Sequence, residues 1–226
     1  MEQALVWLVI ACAGFVGTHM LLSSALRGPL VRALGEKAYL GVYSLVAFVT
    51  LGWMAAAFHA TPAGEPAWNG WAGVPWVIAS VLTIVAMALI VGAFNRNPAL
   101  PQANLAGLST RKPWGVFRVT RHPMMMGIAI WAVAHIIVAP TQRTILLALT
   151  VLFLAVVGSS LQDRRKVRTN EREWSVWMMR TSFWPNPANL GAIGSTWVVA
   201  IAVWFGITGL HWWLSGVPAG IWRWLH

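Results

Sequence analysis

The sequence predicts an all-α fold: a polytopic bundle of about six membrane-spanning helices, forming a single domain over residues 1–226. Three observations carry this expectation. Hydrophobic residues make up 58% of the chain and charged residues only 10%, against about 25% charged in an ordinary soluble domain. The apolar residues gather in six runs close to the ~20 residues that cross a bilayer. Almost all the basic residues lie in the links between alternate runs.

The runs are residues 4–24, 38–58, 71–94, 123–139, 144–161 and 196–214. The first reads as a retained span rather than a cleaved signal, since Glu2 is the only charge ahead of it and its apolar core is too long. The second starts just past Lys37, and a Pro- and Gly-rich link, 59–70, separates it from the third. The fourth opens at Pro123, a residue favoured at the first helical position because its missing N–H would be unbonded there anyway. Thr120 stands just upstream as a cap for the exposed amides. This run is short, so its far end or the turn after it is expected to be irregular. The brief link 140–143 leads into the fifth run, and the long link 162–195 precedes the sixth.

Of the 16 Lys and Arg residues, 14 fall in the links between runs one and two, three and four, and five and six; the exceptions are Arg143 and Arg223. The positive-inside rule places those three links in the cytoplasm and both termini outside. The net charge of +10 then reads as a topology signal and a contact with anionic head groups, not as the footprint of a nucleic-acid binder. Cys12, the single cysteine, lies within an apolar run and offers neither a disulfide nor a cysteine metal site. Many of the 16 tryptophans fall near the ends of the runs, as an aromatic belt requires.

Ionisable side chains inside apolar spans are costly and mark candidate sites. His135 lies thirteen residues beyond His122, with Trp131 one turn and Gly127 two turns before it. Residues four apart share a helix face, so a small residue, a flat aromatic and an imidazole line one stripe. The small residue suits close approach of a neighbouring helix or of a planar ligand. His19 follows Gly17-Thr18 and precedes Ser23-Ser24. For both histidines the choice lies between an interhelical hydrogen bond and ligation.

Arg121 and His122 either anchor one membrane face in the head groups or bind an anionic group beside free helix amides. Asp163, directly after the fifth run, is placed to pair with Arg121, while 171–174 reads as an amphipathic surface helix. His59, His211 and His226 fall at outer helix ends or the terminus, positions that suit interfacial roles better than ligation.

Three blocks, 17–47, 120–138 and 161–185, resemble the NnrU family of bacterial membrane proteins over most of the chain. That family is linked to denitrification and nitric oxide metabolism. It is also related to the zeta-carotene isomerase, which binds haem b and isomerises a C=C bond at a redox-gated iron. The resemblance implies a multi-pass protein of the bacterial cytoplasmic membrane with periplasmic termini. It implies haem b as cofactor, His19 and His135 as axial ligands, and Trp131 and the methionines after Pro123 against the macrocycle. A polyene or a nitrogen oxide would be the ligand. Where the isomerase has a cysteine three residues before the second histidine, this chain has Ala132, so a cysteine-based ligand switch is not available.

Counted along straight helices, His19 lies ~7 Å from the inner end of its span and His135 ~20 Å from the Arg-His-Pro, a depth difference of ~12 Å that tilt must absorb. By depth alone His122 suits His19, and His59 or His211 suits His135. A looser resemblance links Arg121, His122, Pro123, Glu171 and Arg180 to isoprenylcysteine carboxyl methyltransferases, which implies S-adenosylmethionine bound at the cytoplasmic face. A non-catalytic assembly or signalling factor is the third alternative; it would need the basic loops and tolerate changes at the membrane histidines.

Overall fold

The computed structural model describes residues 2–225, and its regular elements are all helical among these residues. Eight α-helices follow in order: α1 Glu2–Ser23, α2 Arg27–Leu34, α3 Glu36–Ala60, α4 Gly73–Gly92, α5 Pro123–Val138, α6 Gln142–Thr169, α7 Glu171–Arg180 and α8 Thr196–Ser215. Five of them, α1, α3, α4, α6 and α8, are long and apolar enough to cross a membrane. The 16 residues of α5 extend only ~24 Å, short of a hydrocarbon core of ~30 Å. The chain then leaves the helix, and the Thr141 N–H bonds the Ala139 carbonyl at 2.8 Å in an irregular turn. The expected polytopic helical class is what the chain forms.

Two elements depart from the expected boundaries. The short helix α2 occupies the link between the first two spans. It is amphipathic and carries Arg27 and Arg32, so hydropathy does not reveal it. The helix expected to stop at residue 161 continues to Thr169. Nothing in Leu161–Lys166 breaks a helix: Leu, Gln, Arg and Lys are good helix formers, and Lys166 and Arg168 in the last turn suit the negative end of the helix dipole. An apolar run reports where a helix meets lipid, not where it ends.

The chain divides into two compact units, the first built from residues up to Trp68 with Ala139–Thr150, the second from Asn69–Val138 and Val151 onward. In the first, α1 packs on α3 where Gly14 leaves room for Trp53, and the Tyr39 hydroxyl donates to the Leu22 carbonyl at 2.8 Å. Arg27 and Glu36 form an ion pair at 2.7 Å across the α2–α3 corner. Arg143 donates to the Thr61 carbonyl at 2.7 Å and lies over the Phe58 ring. Phe48 is 73% exposed and Leu45 65%, surface that suits hydrocarbon and would be an aggregation liability in water.

In the second unit α4 and α5 lie so close that a Cβ added at Gly127 would sit 2.7 Å from the Ala86 carbonyl oxygen. The core gathers Leu89, Phe117, Met126, Trp174 and Trp177, all fully buried. Trp174 and Trp177, three residues apart, are the inward face of α7. The helix expected at the surface is therefore docked by its tryptophans. Glu173, one turn before Trp177, ties down the same side by accepting the Ser109 amide N–H at 2.6 Å. That hydrogen bond holds the Glu173 carboxyl below its ordinary value of 4.5. A depressed carboxyl stabilises the fold above its ordinary pKa, and the contribution is lost as pH falls through the lowered one. The Ser109 amide resonance is therefore expected to titrate with a midpoint below 4.5 and to stay fixed in Glu173→Gln; equal titration in both would contradict the contact.

Candidate functional site

His19 and His135 share one local geometry. On α1, His19 Nδ1 donates to the Phe15 carbonyl one turn back at 2.8 Å, and its ring packs against Phe15 and Tyr43 with centroids 4.3 and 5.6 Å away. On α5, His135 Nδ1 donates to the Trp131 carbonyl at 2.9 Å, and the two rings lie 4.0 Å apart. With Nδ1–H spent on a carbonyl, Nε2 carries the lone pair, which is how a metal-binding histidine is usually held. Among the described residues no hydrogen bond joins either imidazole to a neighbouring helix.

Gly127 is taken up by the neighbouring helix, because its missing Cβ admits Ala86 and Ile90 of α4. That leaves no room there for a planar ligand. Met126 is buried in the core of the second unit, while Met124 and Met125 are half-buried. His59 and His211 are exposed, and His211 Nδ1 is bonded to the Val217 carbonyl at 3.0 Å. His226 lies outside the described residues. Among the described residues no three His, Cys, Asp or Glu side chains gather to hold a bare ion.

Arg121 and His122 are not at a free surface. They are 8% and 1% exposed and converge on Asp163, which is 5% exposed. Arg121 gives Asp163 Oδ2 two bonds, from Nε at 2.9 Å and from the NH2 group at 2.8 Å. Asp163 Oδ1 accepts from His122 Nε2 at 2.8 Å and from Trp174 Nε1 at 3.0 Å. Four donors meet the four or so lone-pair positions of one carboxylate. The third guanidinium nitrogen of Arg121 donates to the Thr181 carbonyl at 3.3 Å.

The sequence places these groups by simple means. His122 is the residue before Pro123, so its carbonyl receives the first helical bond of α5, from the Met126 N–H at 2.9 Å. The Thr120 hydroxyl accepts the N–H of His122, the residue ahead of the helix rather than one of its first-turn amides, at 3.3 Å, and donates to the Phe183 carbonyl. The Arg121 N–H bonds the Ser182 carbonyl at 2.8 Å. One carboxylate thus ties together the start of α5, the far part of α6, and α7.

The Arg121–Asp163 pair is legible in the sequence; the two further donors are not. His122 and Trp174 emerge only from geometry, although Trp174 and Trp177 at helical spacing are a signal for an inward face. Glu171 and Arg180, by contrast, are exposed at opposite ends of α7, about 14 Å apart along its axis. Arg180 bonds the Arg111 carbonyl at 3.2 Å. They do not converge on a common space.

A groove of about 780 Å³ opens beside the cluster, with Arg121 and Asp163 among its lining residues. No curated protein and no solved structure matches this sequence. A family model does, that of the NnrU protein, over residues 7–219. That match covers nearly the whole chain, His19 and His135 included, and this polytopic membrane protein belongs to the NnrU family.

Proposed function

We propose that this NnrU-family protein binds haem b, with His135 and His19 as the residues that ligate iron, and serves nitrogen-oxide metabolism. The observation that carries the reading is the matched state of the two membrane imidazoles. Each donates Nδ1–H to the carbonyl one turn back and so presents Nε2 as a neutral donor. Trp131, packed on His135, restricts rotation of that ring and adds flat apolar surface. Bound there, haem would supply a one-electron couple and an iron that takes a small ligand such as nitric oxide, its potential set by axial ligands and burial. The basic links would lie in the cytoplasm of a bacterial cell and the termini in the periplasm, by the positive-inside rule.

The donors of the buried Arg121–Asp163–His122 cluster end on Asp163 and the Thr181 carbonyl, and His122 Nδ1, although it has no hydrogen-bond partner, belongs to a side chain that is fully enclosed. Purified in mild detergent and supplied with haem, the protein is expected to retain about one haem per chain. His135→Ala and His19→Ala are expected to fall to background, while His59→Ala and His211→Ala retain it. Haem retained equally by all four variants, or by none including the wild type, would overturn the proposal.

A further inference from the structure

We infer that the groove beside Asp163 is a binding site for one anionic phospholipid. The groove runs along one face of α6, where Val156, Val157, Ser160, Arg164 and Arg168 all line it. These residues recur at turns of a single helix, so the lining extends ~18 Å, of which the stretch from Val156 to Ser160 is ~6 Å, room for a head group and the upper part of an acyl chain. Its chemistry shifts along that length: Val156 and Val157 at one end, the Ser160 hydroxyl next, and at the other end two guanidinium groups, Arg164 and Arg168, on either side of Val167. An amphiphile with an acyl chain and an anionic head group has the same sequence of chemistry.

Two observations favour an occupant over a plain surface. Arg164 and Arg168 are exposed, and among the described residues neither has a hydrogen-bonding or ion-pair partner. The third lining arginine, Arg121, is neutralised by Asp163 and stacked over the Phe183 ring at 5.1 Å, so it builds the wall and leaves the other two to bind. Opposite α6 the wall is completed by Phe183 and by Trp184, which is 60% exposed and amphipathic in the way membrane-interface tryptophans are. The charge complement is a phosphate diester, and the apolar half of the groove commits the site to a lipid rather than to free phosphate. Haem plays no part in this site.

The test is native mass spectrometry of the detergent-purified chain offered phosphatidylglycerol and phosphatidylcholine with identical acyl chains. The expected result is one phosphatidylglycerol retained per chain in preference to phosphatidylcholine. Retention should drop by about fivefold for each arginine removed in Arg164→Gln and Arg168→Gln. Val157→Trp, which fills the apolar half without touching the charge, should also weaken it. Arg111→Gln with Lys112→Gln removes the same charge from an exposed loop away from the groove and should have no effect. Equal retention of the two lipids, equal loss in the loop variant, or displacement by inorganic phosphate would each overturn the site. Both arginines are exposed and unpaired, so unchanged thermal melting shows that the variants fold.

Discussion

Asp163→Ala is expected to destabilise the second unit strongly. Two charged donors of Arg121, the Nε2 of His122 and the indole N–H of Trp174 all end on this carboxylate. Its removal leaves a guanidinium buried without its counter-ion, and breaking such a pair from one side typically costs about 3–5 kcal/mol. Domains of this size are stable by about 5–15 kcal/mol, so a loss of that size threatens folding outright. Thermal denaturation in detergent, together with the yield of folded protein, measures it.

The double variant Arg121→Met with Asp163→Leu removes the stranded charge and should recover part of the loss. It should not recover all, since His122 and Trp174 still lack an acceptor at about 1–3 kcal/mol for each unsatisfied group. A single Asp163→Ala variant as stable as the wild type would mean that the cluster is not formed.

Gly127→Leu is expected to have the next largest effect. A Cβ here meets the Ala86 carbonyl oxygen and Ile90 Cγ1, both at 2.7 Å, closer than real Cβ atoms come. The first of these is backbone and cannot swing aside. Either α4 and α5 separate or one of them shifts along the other. Overpacking of a seam costs roughly 1–3 kcal/mol, and in a membrane such close small-residue contacts are a principal source of helix association. Gly17→Ala is the comparison, because nothing lies within 4 Å of its added Cβ. It should be neutral or stabilising, by up to about 1 kcal/mol from the better helix former. Melting temperatures of the two variants in the same detergent check the contrast; equal loss in both would contradict the α4–α5 packing.

The spans are legible because an apolar run of ~20 residues matches the thickness of a bilayer and little else. Residues 4–24 and 196–214 map almost directly onto α1 and α8. What escapes the sequence is helix that owes nothing to lipid. Arg27–Leu34 is too polar to register, and 162–169 looks like a loop because its charges follow an apolar run, although helix propensity carries α6 straight through it. The tryptophans of α7 are ambiguous for a related reason: an indole suits a membrane interface and a protein core equally, and only packing decides.

The candidate site is partly legible for the same physical reasons. A histidine within an apolar span stands out by its cost, and Asp163 and Arg121 each stand just outside an apolar run. The convergence of His122 and Trp174 on the same carboxylate depends on how α7 turns back after Asn170, which no local pattern announces. Gly127 stands out as a close-approach position, but spacing alone does not tell a neighbouring helix from a ligand.

Ligation of haem iron by His135 and His19 is decided by absorption spectra of the oxidised and reduced protein beside His135→Met and His19→Met. Methionine keeps a coordinating atom but changes its character, and it raises the reduction potential of a haem it ligates. A Soret band with sharp reduced-state bands is expected in the wild type, and shifted bands with a raised potential in each swap. A wild type that stays colourless after haem is supplied, or spectra and potentials identical in all three proteins, would contradict it.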